Sequence, residues 1–411
     1  VTSLRPMPLK YGVGFVSNEP LPEDMVLGYR YEQAGTHHNY HVTSGRYHWP
    51  LQYEPDQQSR IIDGFSPNMN KELHIGHLRN LALANALSLI FEGSDTKFVS
   101  LLGCSMGVKL AAIQGWEKWT NFVGFHPEIY YDCALPQDVV DTRIETDPQS
   151  HYQGGEVWDG PNGPVLVKRT DGRFLYSFHD LAFASYVGPT HYVTGHEQRE
   201  HFDALGLGDK HFPMGLVMGD DGKKMKSRDG EAFSAREAME LLQGNLDETP
   251  QPERLAWNVL AWNCLQARRE KNLQFEPQKW TQPDSAGMYI TYTYARILSA
   301  FGGAWDSNIS SWGAMVGDSV LWKPNDSQQE VDVKLAGFAE QYHYYLQRSI
   351  TEFDPSPLAQ FAHDLARQLG RAYHSEPIKE GRQEFRMAVL WAAYRLRCCM
   401  KKLGLFILEE V

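Results

Sequence analysis

Residues 60–93 read RIIDGFSPNMNKELHIGHLRNLALANALSLIFEG. Ile61, Ile62 and Phe65 make an apolar run of strand length that stops at the turn residues Ser66-Pro67-Asn68. From Leu73 the apolar residues return at helical spacing, as Leu78, Leu81, Leu83, Leu87, Ile90 and Phe91, and Gly93 fits a helix C-cap. His74-Ile75-Gly76-His77 therefore falls where the carboxyl end of a strand hands over to a helix N-terminus. Open α/β sheets bind ligands at that place. The N–H groups and dipole of a helix start favour an anion such as phosphate. Gly76 has no Cβ and lets the backbone come close to a ligand. Two imidazoles can donate to a phosphate oxygen that gains charge in a transition state.

Outward from this stretch, 97–102 reads as a second strand followed by a Gly-rich turn, and 112–163 as loop-rich. Val165, Val167 and Arg169, with Asp171-Gly172 before Phe174 and Tyr176, predict a hairpin. A helix start at 180–185, a strand at 191–194 and a helix at 198–205 follow. The run 219–230, GDDGKKMKSRDG, reads as an exposed, positively charged loop. Strands alternating with helices predict a parallel, doubly wound sheet. Beyond Glu231 only helical spacing remains, over 235–242, 252–266, 286–301, 331–350, 356–373 and 382–405, with 302–329 as a linker. Residues 1–55 show no sustained periodicity and read as an irregular extension.

With 411 residues, 42% of them hydrophobic and 22% charged, the chain is long enough for two or three globular domains. No stretch reaches the roughly 18 apolar residues of a membrane span, and the N-terminus has no apolar signal core, so a cytoplasmic protein is expected. A net charge of -12 argues against indiscriminate nucleic-acid binding. Cys104, Cys133, Cys264, Cys398 and Cys399 show no CxxC spacing and read as thiols, without zinc or disulfides. His196 and His201 are five apart, one residue too far for the paired histidines of a zinc-protease helix, so no metal is expected from the protein itself.

Several separated motifs, in order, resemble the arginyl-tRNA synthetase family over roughly residues 57–405. DGFSPNMNKELHIGH is similar to that family's SSPN-x-x-KP-x-HxGH, and Tyr176-Ser-Phe-His-Asp180-Leu-Ala to its Y-x-T-R-D-I-A. Gln198-Arg-Glu-His201-Phe202 resembles Q-x-x-H-F, and Lys224-Met-Lys-Ser-Arg228 a degenerate KMSKS. Tyr289-Ile-Thr-Tyr-Thr-Tyr-Ala-Arg296 is similar to Y-x-Q-Y-A-x-A-R, and the helices from His363 to an anticodon-binding bundle. The resemblance implies a Rossmann-like class I synthetase catalytic domain over 56–235. A helical stem over 236–301 and an all-α, anticodon-binding-like bundle over 302–411 would follow.

The implied chemistry is activation of L-arginine by ATP with Mg2+, then transfer to tRNA(Arg), by a chain expected to be a monomer. The resemblance gives His74, His77, Lys71, Lys224 and Arg228 to catalysis. His74, Gly76, His77, Lys224 and Met225 would bind ATP, Lys71 compensating for the missing second lysine of KMSKS. Asp63, Asn68, Tyr176, Asp180 and Gln198 would form the arginine pocket. A guanidinium never loses its charge and calls for carboxylate acceptors.

Residues 366–402 hold nine Lys and Arg against three acids, with Tyr373, Trp391 and Tyr394 interleaved. Arg367, Arg371, Arg395 and Lys401 are therefore candidate tRNA contacts. Gly103-Cys-Ser-Met-Gly107 lacks the acid of the family's G-D-W-G, and Thr291 stands where the family has Gln. These departures keep two other readings open: a paralogue that passes activated arginine to a different acceptor, and an inactive RNA-binding relative.

Overall fold

The computed structural model describes residues 5–6, 14–21, 29–34, 36–42, 58–145, 151–152, 154–219, 233–302 and 330–411. The chain packs into two compact units, one of residues 56–241 with 267–277, the other of 1–55, 242–266 and 278–411.

The N-terminal stretch, expected to be irregular, instead holds β1 (Arg5–Pro6), β2 (Gly14–Ser17), β3 (Tyr29–Ala34) and β4 (His37–Val42). They form an antiparallel sheet in the order β1-β2-β4-β3. Phe15 and Tyr40 stack beneath it at 4.9 Å between centroids. Short strands rich in Tyr and His, with little alternation, hide this pattern from a reading of periodicity.

In the first unit, β5 (Arg60–Asp63), β6 (Thr96–Leu102), β7 (Glu128–Tyr131) and β11 (Thr190–Tyr192) make a parallel sheet in the order β11-β5-β6-β7. Between the last two in sequence lie β8 (Arg143–Ile144), β9 (Glu156–Gly160) and β10 (Gly163–Lys168), an antiparallel sheet of their own. The chain crosses from β5 to β6 through α1 (Ile75–Ile90) and from β6 to β7 through α2 (Leu110–Val123). It reaches β11, on the other side of β5, through α3 (Tyr176–Val187). The strand order reverses between β5 and β11, and the crevice outside their carboxyl ends is the ligand position of such a sheet. Asp63, last in β5, lies opposite Tyr192, last in β11.

Helix α1 is Leu- and Ala-rich and buried on nearly every face, as befits a helix inside a layered core. It ends at Ile90 with Phe91 as C-cap, and Gly93, expected in that place, turns the chain toward β6 at φ 89°. The loop-rich reading of 112–163 is corrected by α2, β7, β8 and β9. The expected hairpin is present but short: around the Asp171-Gly172 turn the Arg169 N–H donates to the Arg173 carbonyl at 2.9 Å and the Leu175 N–H to the Val167 carbonyl at 2.8 Å. β10 also pairs backward with β9 across Pro161-Asn162, which the sequence reading did not foresee, and Phe174 bridges Lys168 before α3 begins. Gly163, at φ 117°, gives that two-residue turn a geometry few side chains accept.

After β11 come α4 (Arg199–Ala204), β12 (Val217–Met218) and α5 (Ala235–Gly244). Ser234 and Glu237 form a reciprocal capping box at the start of α5. α6 (Pro252–Leu265) belongs to the second unit, and β13 (Leu273–Gln274) returns to the first, pairing parallel with β12. Arg79 of α1, 2% exposed, fastens this return. Its guanidinium donates to the carbonyls of Gly215, Leu216, Arg269 and Lys271 at 2.6–3.1 Å.

The second unit continues through α7 (Pro277–Trp280) and α8 (Ala286–Ala300) to α9 (Glu330–Ala339) and α10 (Tyr342–Glu352). It closes with α11 (Ser356–Ser375) and α12 (Gln383–Lys402). The helical spacing over 331–350 is thus carried by two helices, and most of the expected linker lies outside the described residues. Thr291 is fully buried, donating to the Gly287 carbonyl at 3.1 Å beside Asn258. Asn258 in turn holds both the N–H and the carbonyl of Phe406. No helix among the described residues is long and apolar enough to cross a membrane.

Candidate functional site

A cavity of about 510 Å³ opens at the carboxyl ends of β5 and β11, within the first unit. Of the residues singled out in the sequence, Asp63, Asn68, His74, Gly76, His77, Tyr176, Asp180 and Gln198 all line it. Lys71 stands on an exposed turn and does not. Lys224, Met225 and Arg228 lie outside the described residues.

The two histidines build the start of α1. His74 is the N-cap, and its Nδ1 accepts from the Gly76 N–H at 3.1 Å. His77 Nδ1 accepts from the His74 N–H at 3.0 Å, and the rings stack at 3.8 Å. An imidazole nitrogen that accepts a backbone N–H carries no proton. The neutral ring then has its proton on Nε2, so each histidine is fixed in the tautomer that donates from Nε2.

Asp63 is 5% exposed, and its carboxyl is pushed up to about 7. Burial is the main cause, opposed by a hydrogen bond from Ser66 and reinforced by the charge of Asp180. Asn68 donates to the hydroxyl of Tyr176, which joins the turn after β5 to the start of α3. Asp180, one turn along α3, has one carboxylate oxygen paired to His201 Nε2 at 2.6 Å.

Sequence reasoning missed three residues here. The loop Gly103–Gly107 lacks an acid of its own, yet Asp132, just beyond β7 and 4% exposed, supplies one from outside. Its Oδ1 accepts from the N–H groups of Cys104 and Ser105 at 2.8 and 2.9 Å, and Oδ2 from Ser105 Oγ at 2.7 Å. His179 Nε2 lies 4.0 Å from Oδ2 of Asp132, and Tyr192 shares the same cavity wall. The signal for Asp132 was available. It follows an apolar strand as directly as Asp63 closes β5.

Cys104 and Cys133 flank this carboxylate and are joined as a disulfide with Cα atoms 6.0 Å apart, which corrects the expectation of free thiols. Neighbouring parallel strands β6 and β7 bring together two residues that spacing alone kept separate. Cys264, Cys398 and Cys399 are not disulfide-bonded.

In the second unit Arg367, Arg371 and Lys401 are exposed. Arg395 is 1% exposed, its guanidinium against the rings of Trp391, Tyr342 and Tyr394 at 4.5–5.7 Å, so it leaves the expected basic face. Residues 388, 392, 395 and 399 follow the apolar stripe of α12, and that spacing already placed Arg395 inside. Trp391 is buried too, and Arg296 covers the ring of Tyr373 at 3.8 Å.

A parallel sheet with this switch point and a His-x-Gly-His helix start, followed by a helical bundle, is the architecture of class I aminoacyl-tRNA synthetases. Residues 290–411 match the DALR anticodon binding domain family. Arginine--tRNA ligase of Ligilactobacillus salivarius is 25% identical, in an alignment taking in 78% of this chain and 74% of that protein. The Streptococcus pneumoniae enzyme of the same name is 23% identical over 90% of this chain and 83% of its own. Arginyl-tRNA synthetase of Thermus thermophilus superposes with a TM-score of 0.64 at 16% identity, covering 95% of this chain and 90% of that one. That of Plasmodium falciparum gives 0.65 at 13% identity, covering 100% and 96%. Over most of its length the chain is thus distantly similar to arginyl-tRNA synthetases, in sequence and in fold.

Proposed function

We propose that the protein is an arginine--tRNA ligase, activating L-arginine with ATP and passing it to the 3′ end of tRNA(Arg). The observation that carries this reading is the convergence of Asp63, Asn68, Tyr176, Asp180 and Gln198 on one cavity with His74, Gly76 and His77. In the first step an arginine carboxylate oxygen bonds to the α-phosphorus, and the bond to the pyrophosphate oxygen breaks. The Nε2–H groups of His74 and His77, with the start of α1, suit the phosphates, and Mg2+ enters with them as part of the substrate. Lys71, Lys224, Met225 and Arg228 complete the ATP side, Lys224 and Arg228 on the pyrophosphate. Asp180 and Asp63 meet the guanidinium with Tyr176, while Asn68 and Gln198 hold the ammonium and carboxylate. Little covalent work falls to the protein, which orients the reactants and offsets charge.

In the second step a tRNA hydroxyl bonds to the arginyl carbonyl carbon and AMP leaves. The match of 290–411 to an anticodon binding domain family supports tRNA over another acceptor. On this reading 56–235 is the catalytic domain, 236–301 the stem and 302–411 the anticodon-binding domain, with Arg367, Arg371 and Lys401 offered to RNA.

Arginine-dependent ATP–pyrophosphate exchange, run with and without total tRNA, tests the proposal. Exchange followed by charged tRNA is expected. Exchange with tRNA left uncharged would hand the arginyl group to another acceptor, and silence in both would end the enzymatic reading.

A further inference from the structure

Two polar groups in the cavity wall are buried with hydrogen-bonding capacity to spare. His179 is 6% exposed and Tyr192 1%, and neither imidazole nitrogen nor the phenol oxygen makes a hydrogen bond of normal geometry. Thr190, the hydroxyl close to Tyr192 in sequence, donates to the Gly188 carbonyl, so toward Tyr192 it can only accept, and the phenol's own lone pairs stay open. Around His179 stand the rings of Phe174 and Phe178, which offer nothing polar. The Asp132 carboxylate is too far for a hydrogen bond at 4.0 Å and is held by Ser105 and Cys104, while the Asp132 backbone can engage one ring nitrogen and leaves the other open. Buried polar atoms left unpaired are costly, and in a cavity wall they mark where a ligand supplies the partner.

The acceptor count points the same way. A guanidinium presents five N–H donors in a plane. Asp180 already gives one oxygen to His201, and Asp63, with its carboxyl raised to about 7, is partly protonated near neutral pH. Burial lowers the pKa of His179 against the pull of Asp132 and Asp180, so the ring is neutral and keeps one nitrogen as an acceptor. Both His179 and Tyr192 lie within the field of Asp180.

We propose that His179 and Tyr192 form a second contact set for the substrate side chain, receiving the N–H groups of a guanidinium that Asp180, Asp63 and Tyr176 leave unsatisfied. The inference rests on arginine being the substrate. It makes both residues specificity determinants, favouring a planar, many-donor cation over a lysine ammonium.

The test combines spectroscopy on the unaltered protein with kinetics. Histidine ring ¹⁵N–¹H spectra, assigned with His179→Gln, are recorded as L-arginine is added, and binding is followed by calorimetry. The His179 resonances should move on saturation. In ATP–pyrophosphate exchange, His179→Ala should raise the KM for arginine roughly tenfold to a hundredfold, the loss expected for a hydrogen bond to a charged group. The KM for ATP should stay within about twofold, as Tyr192→Phe should also leave it. His179→Gln should recover much of the affinity, because its amide reaches the position of Nε2. Arginine binding that leaves the His179 signals in place would overturn the inference, as would an unchanged KM in a His179→Ala protein with the wild-type melting temperature. Should that variant fail to fold, the spectra of the unaltered protein decide. If the wild-type protein binds no arginine, the proposed function falls as well.

Discussion

His201 Nε2 lies 2.6 Å from Oδ2 of Asp180, so the carboxylate that faces the cavity is held by a second side chain rather than swinging freely. Each residue comes from a different helix, α3 and α4. The pair fixes the direction of the remaining oxygen. Removing Asp180 leaves a bound cation without its counter-charge, a loss of about 3–5 kcal/mol, or roughly 2–4 decades in binding. Asp180→Ala should raise the KM for arginine by that order and leave ATP binding nearly intact. His201→Ala keeps the charge and loses only its aim, so roughly tenfold is expected. Equal effects of both variants would separate Asp180 from the substrate.

Asp63 carries a pH signature. Its folded carboxyl titrates at about 7 against an ordinary value of 3.8, so between about 4 and 7 the folded chain binds the extra proton. Its contribution to stability is therefore complete below about pH 4 and is lost as pH rises through 7. Urea unfolding at pH 5 and pH 8 should show this loss, and Asp63→Asn should remove that part of the slope. Arginine, which favours the ionised carboxylate, should bind more tightly as pH rises through 7, by at most roughly tenfold per unit. A flat affinity profile in the wild-type protein would take Asp63 out of the pocket.

The Cys104–Cys133 bond closes a loop of 29 residues, for which chain entropy gives about 3–4 kcal/mol of stabilisation. Unfolding in urea with and without dithiothreitol should differ by that order, and Cys104→Ser/Cys133→Ser should match the reduced protein. Since Asp132 still caps the Gly103–Gly107 loop in the reduced chain, the KM for arginine should change far less than stability does. Identical unfolding curves would show the two cysteines to be thiols in solution.

Arg395 and its helical neighbours should part company in function. Arg395→Ala empties a packed cluster of three rings and is expected to cost about 2–4 kcal/mol of stability, with tRNA affinity following only as folding does. Arg367→Ala, Arg371→Ala and Lys401→Ala should leave the melting temperature nearly unchanged and weaken tRNA binding more at low salt than at high salt. Filter binding at two ionic strengths separates the cases.

The strand-to-helix passage 60–93 was legible because local spacing governs it. The apolar strand, the turn and the capped helix each leave a periodic trace, and Asp63, Asn68, His74 and His77 sit at its joints. Tyr176 and Asp180 were legible as one turn of a helix. What was lost depends on pairing across the sheet. Asp132 and the Cys104–Cys133 bond arise only once β7 lies beside β6, and β9 was overlooked because the Gly172 turn downstream already offered β10 a short partner. His179 carried no signal of its own, since an orphaned imidazole is defined by what fails to surround it.

The clasp made by Arg79 has a consequence for how the chain is made. The first unit is interrupted in sequence, and its closing pieces, the carbonyls of Arg269 and Lys271 and the strand Leu273–Gln274, lie almost two hundred residues after the guanidinium that gathers them. During synthesis α1 leaves the ribosome long before those partners exist. Until about residue 275 has emerged, the nascent sheet has a cationic side chain in its interior with half of its acceptors still unmade. The clasp therefore closes late, after the helix 252–265 has already been translated.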